Sequence, residues 1–309
     1  MEEIILSTVS LNQKNYTLPG VPVVVICADG WANEYISLGF AHGELPNLAR
    51  LASDGYYGLA RGALPSFTNV NNCSIVTGTP PFETGIGGNY IIDPESGEEL
   101  MTNSSRFLRN DTILAAASQA GRKVAMVTAK DKLRELLSKG MNGISISAEK
   151  ADEVSIELNG IDNIESLVGP KPVIYSADAS LYVLRVGVEL LASGRADFLY
   201  LSLTDYMQHK YAPEASESRE FYRLIDIAIN PMVGGTGLKI KSLEALSYGK
   251  ALLATEDAMV GINGTDSFHN FASVTDMVEA LNELTLERTA DLHRNSIALF
   301  LEGNVASRR

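Results

Sequence analysis

The sequence predicts an α/β fold built on a parallel sheet with helices on both faces. Two observations carry this. Residues 21–28 and 197–203 are apolar runs without polar alternation, the pattern of strands buried on both faces. Segments of helical spacing, opened by capping residues and closed by glycine, alternate with such runs, as crossover-connected parallel strands require.

Taken in order, residues 21–28 form the first strand, ended by Asp29-Gly30. Residues 45–52 have helical spacing and close at Gly55. Residues 56–64 can be extended, Pro65 interrupts them, and a short helix follows from about Thr68 to its stop at Gly78. Residues 85–99 are a Gly-, Asn- and Asp-rich excursion with a turn at 93–97. Asp111-Thr112 caps a helix through Ala120 that stops at Gly121. A strand at 123–128, a helix at 131–139, a short strand at 143–147, a long amphipathic helix at 177–193 and a strand at 197–203 complete the pattern. No internal repeat interrupts it.

The chain of 309 residues carries a net charge of -13, which argues against bulk nucleic-acid or anionic-membrane binding. An anionic small molecule is still compatible, because a few lysines or metal ions can reverse a local field. Cys27 and Cys73 read as buried thiols of a reducing compartment. The N-terminus has no signal-peptide pattern, and no apolar run approaches a membrane span, so a cytoplasmic protein is expected. The sequence leaves the oligomeric state open.

In open α/β sheets, ligands bind beyond the carboxyl ends of the strands. Asp29, Thr68, Lys130, Lys132, Asp205 and His209 all follow strands, so the topology is expected to bring them to one rim. Each has an ordinary reading beside a chemical one. Asp29-Gly30 is a common turn. Thr68 can cap its helix or attack a phosphoryl group held at the helix N-terminus. Lys130 and Lys132 can be a solvated helix start or can hold an anion. Asp205 and His209 stand one helical turn apart and can share a metal. Together these groups suggest metal-assisted phosphoryl or phosphonyl transfer.

Residues 24–30, 65–72, 85–89, 127–134 and 204–210 resemble the phosphonoacetate hydrolases of the alkaline phosphatase superfamily. The resemblance covers roughly residues 1–226 and implies a truncated alkaline-phosphatase-like core. It implies a di-zinc site in which Thr68 attacks phosphorus and forms a phospho-threonine that water hydrolyses. Asp29 and Thr68 would ligate one zinc, and Asp205 and His209 the other. Asn89 would hold a phosphonyl oxygen, and Lys130 and Lys132 the substrate carboxylate, giving phosphate and acetate. The family completes its metal cages with an Asp-His pair and a late histidine. This chain has no Asp-His dipeptide, so fewer than two zinc ions are expected. His269 and His293 lie downstream without ligand spacing, and His269 reads as a surface histidine.

Residues 229–250 are similar instead to the C-terminal half of nucleotide-sugar glycosyltransferases built from two Rossmann-like domains. There Gly235 and Gly237 would approach a diphosphate, Lys239 would add charge, and Glu244 would hold a ribose. A Gly-rich turn before a helix can also be purely structural. The expected organisation is therefore an incomplete metallohydrolase domain at 1–226 and an incomplete glycosyltransferase-like Rossmann-like α/β segment at 227–309. The expected function is hydrolysis of the C–P bond of phosphonoacetate. A nucleotide-sugar-binding fragment and a catalytically inactive fusion are the alternatives.

Overall fold

The computed structural model describes residues 7–93, 96–225, 228–230, 242, 245–246, 251–262, 264, 266–282 and 284–306. The chain divides into two compact units. The first comprises Met1–Asp29, Ala60–Ser166 and Pro170–Thr204, and the second Gly30–Leu59, Leu167–Gly169 and Asp205–Arg309.

The first unit opens with a hairpin, β1 (Ser7–Leu11) and β2 (Lys14–Leu18), that sequence reasoning did not anticipate. Asn12 and Gln13 turn it, both at positive φ of 48° and 64°, a conformation asparagine tolerates better than most side chains. Strand β3 (Val23–Cys27) then enters the main sheet. A second hairpin, β4 (Tyr90–Ile92) with β5 (Glu99–Met101), lies inside the Gly-rich excursion. The remaining sheet strands are β6 (Val124–Thr128), β7 (Gly143–Ser147) and β8 (Phe198–Ser202). The four-stranded order is β3-β8-β6-β7, parallel throughout, with Cys27 beside Ser202 and Ser202 beside Thr128.

Pleating assigns the two faces. Val124, Met126, Phe198 and Tyr200 point into one core with Val70, Cys73 and Val76 of the Thr68–Thr77 helix. Leu114 and Ala117 of the Ile113–Gln119 helix and Leu133, Leu136 and Leu137 of the Asp131–Leu137 helix complete that layer. On the other face the Ala177–Ala192 helix covers β8 and β6, and Leu199 and Leu201 are buried under it. Gly187 lets this helix approach, since a Cβ there would lie 2.5 Å from a Leu201 methyl. Local signals account for the helix ends. The Thr112 hydroxyl accepts from the Ala115 amide at 3.0 Å, and Gly78 and Gly121 sit at φ of 65° and 86°.

Two sequence expectations fail here. Residues 56–64 form no strand and take no regular secondary structure, with Tyr56 91%, Leu59 78% and Leu64 90% exposed. Propensity makes a segment able to extend, but a strand also needs a neighbouring ladder. The run at residues 21–28 is not buried on both faces. Among the described residues β3 is an edge strand, and its Val24 and Ile26 are 43% and 53% exposed.

In the second unit, β9 (Ala228–Asn230) and β10 (Leu252–Ala254) pair in parallel. Two small cores form around β10, one with Leu246, Ala258 and Met259 and one with Ala251, Met277 and Leu292. Glu44 is almost wholly buried and is held by Arg219 and, at 3.4 Å, by Arg223. His269 is 1% exposed, which corrects its reading as a surface residue: the short turn at Ser267–His269 folds its ring inward. Neither ring nitrogen has a hydrogen-bond partner among the described residues. Burial holds its pKa below 6.5; Asp266 opposes this and Arg288 reinforces it. The unfolded chain therefore binds this proton more readily than the folded one, so stability is lost as pH falls below 6.5. Asp266 adds nothing in that window. Burial raises its pKa, but the Phe268 amide, Arg288 and Asn295 outweigh this and leave it below 3.8. The urea midpoint of this unit is expected to drop between about pH 7.5 and about pH 5.5, and His269→Phe to flatten that drop. An unchanged slope in His269→Phe would refute the assignment.

Candidate active site

The carboxyl ends of β3, β8 and β6 are level. The ladder runs one residue past the strands, with Leu203 N–H donating to the Cys27 carbonyl and Ala129 N–H to the Ser202 carbonyl, both at 2.9 Å. Asp29 leaves this edge from β3, and Lys130 from β6, two strands away or roughly 10 Å.

Thr68 is the first residue of its helix. Phe67, which precedes it, has extended φ/ψ, and no side chain caps the helix. The Thr68 hydroxyl instead donates to Asp29 Oδ2 at 2.9 Å. The cap reading is thereby set aside, because a capping hydroxyl accepts from an amide of the first turn. Asp29 and Thr68 are both half-buried.

Asn72, Tyr200, Asn69 and Thr102, which received no role from sequence reasoning, hold this turn in place. Buried Asn72 donates from Nδ2 to the Thr68 carbonyl at 2.9 Å, and its Oδ1 accepts from the Tyr200 hydroxyl at 2.8 Å. Buried Asn69 donates from Nδ2 to the Thr102 carbonyl at 2.9 Å, and the Thr102 amide in turn donates to the Asn89 carbonyl at 2.9 Å. The first turn is thus pinned to β8 and to the loop that carries Asn89. A signal was present: Asn69, Asn71 and Asn72 crowd a short helix although asparagine is a poor helix former, so each needs a tertiary reason. The Asn89 side chain makes no hydrogen bond among the described residues, and its Oδ1 is buried.

Lys130 precedes the Asp131–Leu137 helix and Lys132 lies in its first turn. Asp131 is committed elsewhere. Its carboxylate accepts from Arg134 at 2.7 Å and Ser147 at 2.8 Å and lies 3.7 Å from Lys150. Burial raises its pKa, but these partners outweigh that and hold it below the usual carboxylate value. Lys132 is half-buried and forms no ion pair or hydrogen bond among the described residues.

Asp205 and His209 belong to the second unit. His209 Nε2 lies 3.0 Å from Asp205 Oδ2 across one turn of the Tyr206–Lys210 helix, with His209 79% exposed. Tyr35 supports that helix by donating to the Tyr211 carbonyl at 3.0 Å, and Tyr222 packs edge-on against both Tyr35 and Trp31. Gly30, at φ of 72°, is needed beside it, since a Cβ there would lie 3.2 Å from Asp205 Cβ.

Each pair offers two of the three protein ligands a catalytic zinc commonly takes. Among the described residues no group of three or more His, Cys, Asp or Glu side chains could hold a metal ion. His269 is buried beside Asp266, and His293 falls in the Leu286–Ala306 helix. Gly235, Gly237, Lys239 and Glu244 lie outside the described residues. Both cysteines are free. Burial pushes the Cys73 thiol up to about 12 and also raises Cys27, so neither is a reactive thiolate. Among the described residues no helix is long and apolar enough to cross a membrane.

Residues 23–237, more than half of the chain, match the type I phosphodiesterase/nucleotide pyrophosphatase family. The chain belongs to that family. Within it, the chain is similar to phosphonoacetate hydrolase from Sinorhizobium meliloti 1021. It is 44% identical to the form solved with phosphonoformate and 43% identical to the form solved with phosphonoacetate. Both likenesses cover 72% of this chain, with a TM-score of 0.69. This family member spans 55% of the length of those hydrolases. Its parallel sheet clad by helices is an alkaline-phosphatase-like core.

Proposed function

We propose that this chain is a phosphonate hydrolase that cleaves the C–P bond of phosphonoacetate, with Thr68 as nucleophile. The observation that carries the reading is the Thr68 hydroxyl at a helix N-terminus, turned onto Asp29 rather than onto its own helix. Its support is the 44% identity to a hydrolase solved with phosphonate ligands.

The phosphonyl group lies at the N-terminus of the Thr68–Thr77 helix, where first-turn amides without intrahelical partners and the helix dipole favour an anion. The Asn89 amide holds a phosphonyl oxygen. Lys132, with Lys130, holds the carboxylate. Asp29 orients the Thr68 hydroxyl. The Thr68 oxygen forms a bond to phosphorus as the C–P bond breaks. The methylene carbon leaves with the bonding pair and takes a proton, giving acetate. Water then attacks the phospho-threonine, and phosphate leaves with Thr68 restored. Asp29 with Thr68 and Asp205 with His209 are the proposed zinc-binding pairs; bound zinc would supply charge neutralisation and a more acidic hydroxyl. With two ligands in each pair, less than two zinc per chain is expected after dialysis.

The test is phosphate release from phosphonoacetate by zinc-supplemented protein, with metal content measured on the same sample. Lys132→Ala is expected to raise KM by roughly tenfold or more, with a smaller change in kcat. Methylphosphonate, which has no carboxylate, should feel little of that substitution. Equal sensitivity of both substrates would remove the carboxylate role, and no phosphate from either would remove the hydrolase reading.

A further inference from the structure

We propose that Thr102 is a positioning residue that aims the Asn89 amide at the phosphonyl group and keeps it in register with Thr68; this rests on the role proposed above for Asn89. Thr102 is 0% exposed, although its neighbours Met101 and Asn103 are both exposed. Its amide, hydroxyl and carbonyl are all engaged. The amide donates to the Asn89 carbonyl at 2.9 Å, one rung beyond the β4–β5 ladder in which Tyr90 faces Met101. The hydroxyl donates to the Gly88 carbonyl at 2.5 Å. The carbonyl accepts from Asn69 Nδ2 at 2.9 Å.

These bonds converge on Asn89 for a geometric reason. Planar peptides leave each residue only φ and ψ, the angles it makes with the peptide before it and the peptide after it. The Gly88 carbonyl belongs to the peptide before Asn89, and the Asn89 carbonyl to the peptide after. Thr102 holds both, so it fixes the direction in which the Asn89 side chain leaves the backbone. The neighbouring chain needs such a hold. Gly87 and Gly88 have wide backbone freedom, and a Cβ on Gly87 would meet nothing within 4 Å. On the other side, Tyr90 and Ile92 are exposed. The Asn89 side chain makes no hydrogen bond among the described residues, so its aim comes from its backbone. The far end of the link is the nucleophile's own turn. Asn69 directly follows Thr68 and is 0% exposed, and its bond to Thr102 ties that turn to the residue that holds Asn89. An attacking hydroxyl and an amide on a phosphonyl oxygen must stay in register, since a misplacement of about 1 Å can cost about a hundredfold in rate.

Methylphosphonate titrated into zinc-supplemented full-length protein carrying isotope-labelled asparagine tests this by nuclear magnetic resonance. The Asn89 side-chain signals are assigned by their loss in Asn89→Ala, and in wild type they are expected to shift on binding. Thr102→Val keeps the amide, the carbonyl and the volume but loses the hydroxyl, and should raise the apparent Kd at least about fivefold. Thr102→Ser, which keeps the hydroxyl, should recover most of that loss. Thr102→Ala serves if Thr102→Val does not fold. In an Asn89→Ala background, Thr102→Val should weaken binding no further by calorimetry, because no amide is left to aim. Thr102→Val should also lower phosphate release from phosphonoacetate and from methylphosphonate by a similar factor, unlike Lys132→Ala, because both substrates present the phosphonyl group. Wild-type Asn89 signals that do not move overturn the proposal. So does wild-type affinity in Thr102→Val, or a Thr102→Val loss that persists in Asn89→Ala. Absence of turnover with the expected shifts intact removes the hydrolase reading and leaves the positioning role standing.

Discussion

Thr68→Ala is expected to lower phosphate release from phosphonoacetate by at least about a thousandfold, because the proposed covalent transfer uses the Thr68 hydroxyl. Thr68→Ser should keep a measurable fraction. The geometry makes this a clean substitution. Thr68 is not its helix's cap, so the change removes one half-buried hydrogen bond to Asp29 and costs about 1 kcal/mol of stability. Activity and urea midpoint should therefore separate: nearly all of the first lost, most of the second kept. Mass spectrometry of acid-quenched protein should find phosphate on the peptide containing Thr68 in wild type and Thr68→Ser and none in Thr68→Ala. Full turnover in Thr68→Ala would end the nucleophile assignment.

The second large effect belongs to Asn72. Its side chain is buried and joins helix to strand: it donates to the Thr68 carbonyl at 2.9 Å and accepts from Tyr200 at 2.8 Å and from Ser202 at 3.4 Å, both on β8. Asn72→Ala strands a buried tyrosine hydroxyl and removes the side-chain donor from the Thr68 carbonyl. Leaving a buried polar group unpaired costs about 1–3 kcal/mol and losing a further hydrogen bond about 1 kcal/mol, so a loss of about 2–4 kcal/mol is expected in urea unfolding. Tyr200→Phe removes donor and need together and should cost about 1 kcal/mol. Because Asn72 positions the turn that carries Thr68, Asn72→Ala should also reduce kcat, and its defect should not add to that of Thr68→Ala. Equal stability losses in Asn72→Ala and Tyr200→Phe would show that the amide does not bridge helix and strand.

Much of the sheet was legible because its signals are local. The strands at Val124–Thr128 and Phe198–Ser202 are written in short apolar runs, and the helix ends at Gly78 and Gly121 in glycines that take positive φ. Thr112 announces its helix by capping it. Asp29 and Lys130 leave the same sheet edge because parallel topology places every strand-to-helix turn at one end, whereas Thr68 meets Asp29 without the strand expected before it.

The structure changed what depends on distant partners. Residues 56–64 have the composition of a strand and no ladder to join, and β3 has the composition of a central strand and, among the described residues, lies at the edge. His269 looks like a surface residue in its own neighbourhood and is buried by packing that its neighbours do not reveal. Thr68 shows the division most plainly. The sequence alone determined that a hydroxyl stands where a helix begins, since Pro65 and Gly78 bracket that helix. Only the tertiary structure set the cap reading aside. That outcome turns on whether the hydroxyl bonds to its own helix or to Asp29, a residue 39 positions earlier that the sheet brings within 2.9 Å.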